Sequence, residues 1–150
     1  QRRRPLILLT RGQLDPEAIT AAVSDPGNGA VVTFLGVTRN QTDGRGVLYL
    51  EYEAYPDMAE KMLERIAQEV EARWGIRHCS IAHRFGRLEI GETSLVVAIG
   101  SPHRAEAFAA CAFVVDRIKE NVPIWKKEFF ADGAVWVGME GRYHAAPSVG

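Results

Sequence analysis

Three groups of cationic side chains stand at positions suited to anion chemistry: Arg39 in "AVVTFLGVTRN", His103 with Arg104 in "SPHRAEAF", and Lys119, Lys126 and Lys127 in "IKENVPIWKKE". At about 100° per residue, Phe108, Cys111, Ala112, Val115 and Ile118 define an apolar helical stripe, and Lys119 falls inside it one turn beyond Val115. Two readings stay open for this lysine. Burial would strip its solvation and favour a neutral, nucleophilic amine. A last-turn lysine can also bend to water and complement the helix dipole. The segment "SPHR" begins the same helix, where unpaired backbone N–H groups and partial positive charge suit a phosphate; Arg39 is a third anion contact by the same logic. Each of these is equally readable, taken singly, as a solvated surface residue.

Other reactive types are less suggestive. Cys79 and Cys111 form no CxxC and occupy apolar-patterned positions, so small buried thiols are the ordinary reading and a reactive thiolate the rarer one. His83 shares a strand face with Ile81 and Phe85 and reads as a hydrogen-bonded core histidine, while His78 and His144 lack ligand-spaced companions. No zinc or calcium motif, GxSxG, P-loop or GxGxxG occurs, so neither a metal nor a resident cofactor is expected. With 18 Lys+Arg against 19 Asp+Glu the net charge is −1, which excludes a global basic field for nucleic acid or an anionic membrane. No run approaches the ~20 apolar residues of a membrane span. A soluble, cytoplasmic protein is the expectation.

The elements that position these residues follow from periodicity. A chain of 150 residues, 47% apolar and 25% charged, suits one domain over 1–150. "PLILLT" reads as a first strand after a ragged basic start rather than as a signal peptide. Asp15 and Pro16 open a short helix that "DPGNG" closes. "AVVTFLGVTRN" reads as a buried strand running into a polar loop, "NQTDGRG", with "VLYLEYEAY" as the next strand. Met58, Met62, Ile66 and Val70 stripe a second helix ended by Gly75. "RHCSIAHRF" and "TSLVVAIGS" are antiparallel strand neighbours joined through turn residues in "RFGR" and "LEIGE". Ser101 as N-cap and Pro102 at the first position start the third helix, which Pro123 must end; "IWKKEFFADGAVWVG" makes two short strands. Strands mixed with three main helices, in an antiparallel or mixed sheet, make an α+β fold.

In order and spacing, "GAVVTFLGVTRN", "LEYEAYPDMAEKML", "SPHRAEAF" and "IKENVPIWKKE" resemble the large, catalytic subunit family of molybdopterin synthase, over roughly residues 6–138. The resemblance implies an α/β-hammerhead-type fold. It implies sulfur transfer to cyclic pyranopterin monophosphate, which becomes the dithiolene of molybdopterin. The sulfur would come from the C-terminal Gly-Gly thiocarboxylate of a small ubiquitin-like partner, with a homodimer of large subunits carrying two small ones as a heterotetramer. By motif, Lys119 and Lys126 match the active-site lysines, and Val37, Thr38, Arg39, His103, Arg104, Lys127 and Glu128 match substrate-binding positions. Pro123 would then fold the chain back, with Ile124 and Trp125 anchoring the return so that Lys126 comes near Lys119. The tail at 139–150 is unassigned, and Arg142 is its one candidate basic contact.

Arg104 and Lys119 stand fifteen positions apart on one helix, roughly 22 Å at ~1.5 Å per residue. If both serve one pterin, they must come from different chains across a two-fold interface. A non-catalytic tail-binding subunit would not need the anion-binding residues, and a persulfide sulfurtransferase would need a reactive Cys79 or Cys111.

Overall fold

The computed structural model of the chain describes residues 6–137 and 143–145; the basic start and Arg142 lie outside the described residues. In chain order the elements are β1 (Leu6–Thr10), α1 (Pro16–Ala21), β2 (Ala30–Val37), β3 (Gln41–Thr42), β4 (Arg45–Ala54), α2 (Pro56–Trp74) and β5 (His78–Arg84). They continue as β6 (Gly86–Glu89), β7 (Thr93–Ser101), α3 (Arg104–Asn121), β8 (Ile124–Phe130), β9 (Gly133–Val137) and β10 (Tyr143–Ala145). One sheet has the order β1-β5-β7-β2, with β1 parallel to β5 and the rest antiparallel. The second runs β10-β9-β8-β4-β3, with β6 also on β4. The expected α+β fold with three helices and mixed sheets is what forms.

Strand alternation divides β5 and β7 between two cores. Cys79, Ile81, Val97 and Ile99 face α2 and α3, which supply Leu63, Ile66, Val70, Ala110 and Val114. Ala82, Val96 and Ala98 face the other way, onto Leu14, Ile19 and Val23 around α1. That short helix begins as expected: Asp15 Oδ1 accepts from the Ala18 N–H at 3.2 Å, and Pro16 follows the cap. Gly75 ends α2 in the left-handed region at φ 68°, its N–H donating to the Glu71 carbonyl. No described helix is long and apolar enough to cross a membrane.

Several local expectations are corrected. Met58 is 57% exposed, because the buried face of α2 centres on Ala59, Leu63, Ile66, Ala67 and Val70, where two alanines allow close helix approach. The buried face of α3 is Ala107, Ala110, Cys111, Val114 and Ile118; Phe108 is 61% exposed, and Ala112 is exposed as well. Ser101 does not cap α3. It stays in the ladder opposite Ala30, so the helix starts at Arg104 after His103, and the Ser101 Oγ accepts from the His103 N–H at 3.3 Å. The strand expected to be buried, β2, is an edge strand whose Val31, Leu35 and Val37 are exposed on one face. The expected loop "NQTDGRG" contains a hairpin. Asp43 and Gly44 both take positive φ, 50° and 79°, the geometry that two-residue turns need to match strand twist. "GRLE" is a strand, β6, that leaves the first sheet at Gly86 (φ 90°) and pairs with β4 of the second.

Candidate active site

The long helix α3 separates the cationic groups into two ends. It packs against β7 and β2 and runs back along the sheet, and midway the Cys111 thiol meets the Phe34 backbone. His103 and Arg104 are exposed at its start, and His103 makes no side-chain cap, so the first-turn N–H groups keep their anion-binding character. This end lies beside the start of β2, since Ala30 pairs with Ser101. Arg39 follows the far end of β2, where Val37 pairs with Thr93, roughly 23 Å away at ~3.3 Å per strand residue. With its start beside Ala30 and Cys111 level with Phe34, α3 runs along β2 toward the Arg39 end, and Lys119 is in its last turn.

Lys119 is exposed, so of the two readings open from the sequence the single chain takes that of a last-turn lysine facing water rather than a desolvated amine. Beside Arg39, Thr38 is braced through its backbone: its N–H donates to the Glu92 carbonyl at 3.0 Å and its carbonyl accepts from Gly91 at 2.9 Å. Glu92 in turn takes the Glu89 N–H and the Arg84 guanidinium, which hold its carboxyl below the usual range. The Thr38 hydroxyl is buried with no partner among the described residues. Val37, 50% exposed, adds apolar surface there.

The break after α3 works as the sequence suggests. Val122 is extended (φ −83°, ψ 133°) yet returns its N–H to Ile118, and Pro123 is followed at once by β8, whose pairing with β4 begins at Ile124 opposite Ala54. Ile124 packs on the main core, and the Trp125 ring meets the Tyr55 ring edge-on, centroids 5.2 Å apart. Along β8, alternation sends Lys126 and Glu128 to one face and Lys127 to the other, where its ammonium lies 5.0 Å from the Phe129 ring centre.

Glu128 is only 1% exposed, a carboxylate that burial would penalise heavily unless each oxygen found a partner. Thr42 Oγ1 donates to Oε2 at 2.7 Å, and Lys126 Nζ stands 3.6 Å from Oε1. Tyr52, opposite Lys126 in the ladder, completes the cluster. It shares a hydrogen bond with Ser94, whose hydroxyl donates to the Gly36 carbonyl at 3.2 Å; burial and then the nearby Glu128 charge push the phenol above its ordinary range. Thr42, Tyr52 and Ser94 were not singled out by sequence reasoning. Their one advance signal was the Asp-Gly turn, which makes Thr42 a hairpin residue rather than part of a loop.

The remaining candidates are quiet. His83 is buried, its Nδ1 bonded to the Arg84 carbonyl at 2.8 Å, and burial lowers its pKa to about 4, so it is neutral at physiological pH as a core histidine. Cys79 and Cys111 are both buried free thiols; burial, with Cys111 nearby, pushes Cys79 up to about 12, and burial also raises Cys111. Neither is a ready thiolate. Among the described residues no cluster of three His, Cys, Asp or Glu could hold a metal.

The family described as "MoaE protein" matches residues 9–121. A molybdopterin synthase catalytic subunit of Halalkalibacterium halodurans is 51% identical over 116 residues, 77% of this chain and 74% of its own length. The crystal structure of molybdopterin synthase from Staphylococcus aureus superposes with a TM-score of 0.83 at 40% identity, covering 92% of this chain and 99% of that one. A complex of subunits 1 and 2 of molybdopterin-converting factor from Helicobacter pylori shares the fold at a TM-score of 0.70 and 21% identity, covering 85% of this chain and 87% of that one.

Proposed function

This chain belongs to the MoaE protein family, and from that premise we propose that it is the catalytic subunit of a molybdopterin synthase. It moves sulfur from the C-terminal thiocarboxylate of a small ubiquitin-like subunit to cyclic pyranopterin monophosphate. The observation that carries the reading is the arrangement around Pro123: Lys119 before the break, and after it Lys126, held beside a fully buried carboxylate. Lys119 meets the incoming thiocarboxylate, which a flexible, solvated lysine at the site mouth is suited to do before docking covers it. Lys126 stabilises negative charge that develops during transfer. Arg39, His103 and Arg104 bind the phosphate, the latter two at a helix N-terminus, with Val37 and Thr38 beside Arg39 and Lys127 and Glu128 beside Lys126 completing the substrate side. The Helicobacter pylori complex of two subunits supports a small-subunit partner.

Arg104 and Lys119 close opposite ends of an 18-residue helix, so one compact substrate cannot bridge them in a single chain. The pocket is therefore composite: lysines from one chain, His103 and Arg104 from its partner in a homodimer. With a small subunit on each half, the assembly is a heterotetramer. Two unpaired buried thiols suit a reducing compartment, and we assign the protein to the cytoplasm.

The test is reconstitution: purified protein, thiocarboxylated small subunit and pterin precursor are mixed, and dithiolene formation is measured. A double variant, Cys79→Ser with Cys111→Ala, is expected to keep turnover within about twofold while losing roughly 1–3 kcal/mol of stability, because both sites are packed. A folded double variant without transfer would instead give one of the two thiols a part in the reaction.

A further inference from the structure

We propose that Thr42, in the β3–β4 hairpin, is a positioning residue for sulfur transfer: its hydroxyl satisfies one oxygen of the buried Glu128 so that Lys126 stays beside the other without being captured by it. The proposal rests on Lys126 as an active-site group. The geometry divides the carboxylate between two partners, with Thr42 Oγ1 at 2.7 Å from Oε2 and Lys126 Nζ at 3.6 Å from Oε1. The first is a short hydrogen bond to a charged acceptor; the second exceeds hydrogen-bond range. Lys126 therefore feels the carboxylate's charge while its protons remain available to substrate.

The hairpin is built to hold this hydroxyl still. Its tight turn at Asp43 and Gly44 fixes the register of Thr42 opposite Arg45. Arg45 is clamped to Asp132, in the turn between β8 and β9, at 2.6 Å, and its guanidinium lies 3.8 Å from the centre of the Phe130 ring. Both ends of the Thr42–Glu128 contact are thus tied to the strand that carries Lys126. Without the hydroxyl, a carboxylate 1% exposed has one oxygen unpartnered, and the ammonium of Lys126 is the cation already beside it. That ammonium closes onto Glu128 and is withdrawn from the substrate.

Thr42→Val keeps the side chain's shape and deletes the donor. In the reconstituted assay it is expected to lower kcat about tenfold, the scale of one hydrogen bond to a charged group, with KM for the pterin within about twofold. Thr42→Ser should restore kcat, and in a Glu128→Gln background Thr42→Val should add little further loss, since the charge it serves is gone. Should Thr42→Val not fold, Thr42→Ala carries the same comparison. Wild-type kcat in a folded variant, failure of serine to rescue, independent multiplication of the Thr42 and Glu128 effects, or a loss that merely follows the folded fraction in thermal melts would each overturn the proposal. Lys126→Ala keeps the two readings apart. If it turns over normally, the active-site reading itself is wrong; if it is impaired while Thr42→Val is not, only the role of Thr42 is lost.

Discussion

Lys119→Ala is expected to abolish sulfur transfer, lowering kcat by about a thousandfold or more, the scale on which single preorganised charge-stabilising groups act. The fold should be indifferent. Lys119 is exposed in the last turn of α3 and the buried contacts of that turn come from Ile118, so truncation opens no cavity and costs less than about 1 kcal/mol through the helix dipole. Activity and stability must therefore separate: thermal melts of variant and parent should nearly coincide while turnover disappears. Near-parental turnover would remove Lys119 from the reaction.

Lys126→Ala is expected to lower kcat about a hundredfold, and here stability should fall as well. Lys126 is the cation beside a carboxylate that is almost fully buried, and among the described residues Thr42 would remain to satisfy it. Removing one partner of a buried charge costs more than the pair contributes. Because Lys126 itself is partly exposed, water can replace some of what is lost, and a destabilisation of roughly 1–3 kcal/mol follows. Comparing melting temperature with kcat for Lys126→Ala, and for Lys126→Ala combined with Glu128→Gln, checks this. The double variant should regain stability without regaining activity.

Local features of the candidate site were more legible than the surfaces that surround them. The Pro123 break and the Ile124 and Trp125 anchors are local features, set by proline geometry and aromatic bulk, and they formed as expected, whereas α3 starts at Arg104 rather than at Pro102 because Ser101 stays in the sheet. On α3, a stripe weighted by hydrophobicity favours Phe108 over alanine, yet Phe108 faces solvent. Close packing on the sheet instead selects Ala107 and Ala110, and this turns Lys119 to water. The apolar run of β2 could not reveal that it is an edge strand, since lateral order depends on which strands pair beside it. The Thr42–Glu128 contact joins residues 86 positions apart, a separation at which no spacing rule operates. What the sequence did carry was the helix length that keeps Arg104 and Lys119 apart.

That separation makes subunit mixing the most direct test of a composite site. Arg104→Ala and Lys119→Ala chains, each inactive alone, are combined under conditions that exchange subunits, with exchange verified by tagged pairs. Random pairing makes half of the assemblies heterodimers, and one of the two pockets in each has all its groups intact, so roughly a quarter of wild-type activity should return. No recovery despite verified exchange would contradict the account, because each pocket would then draw all its groups from one chain.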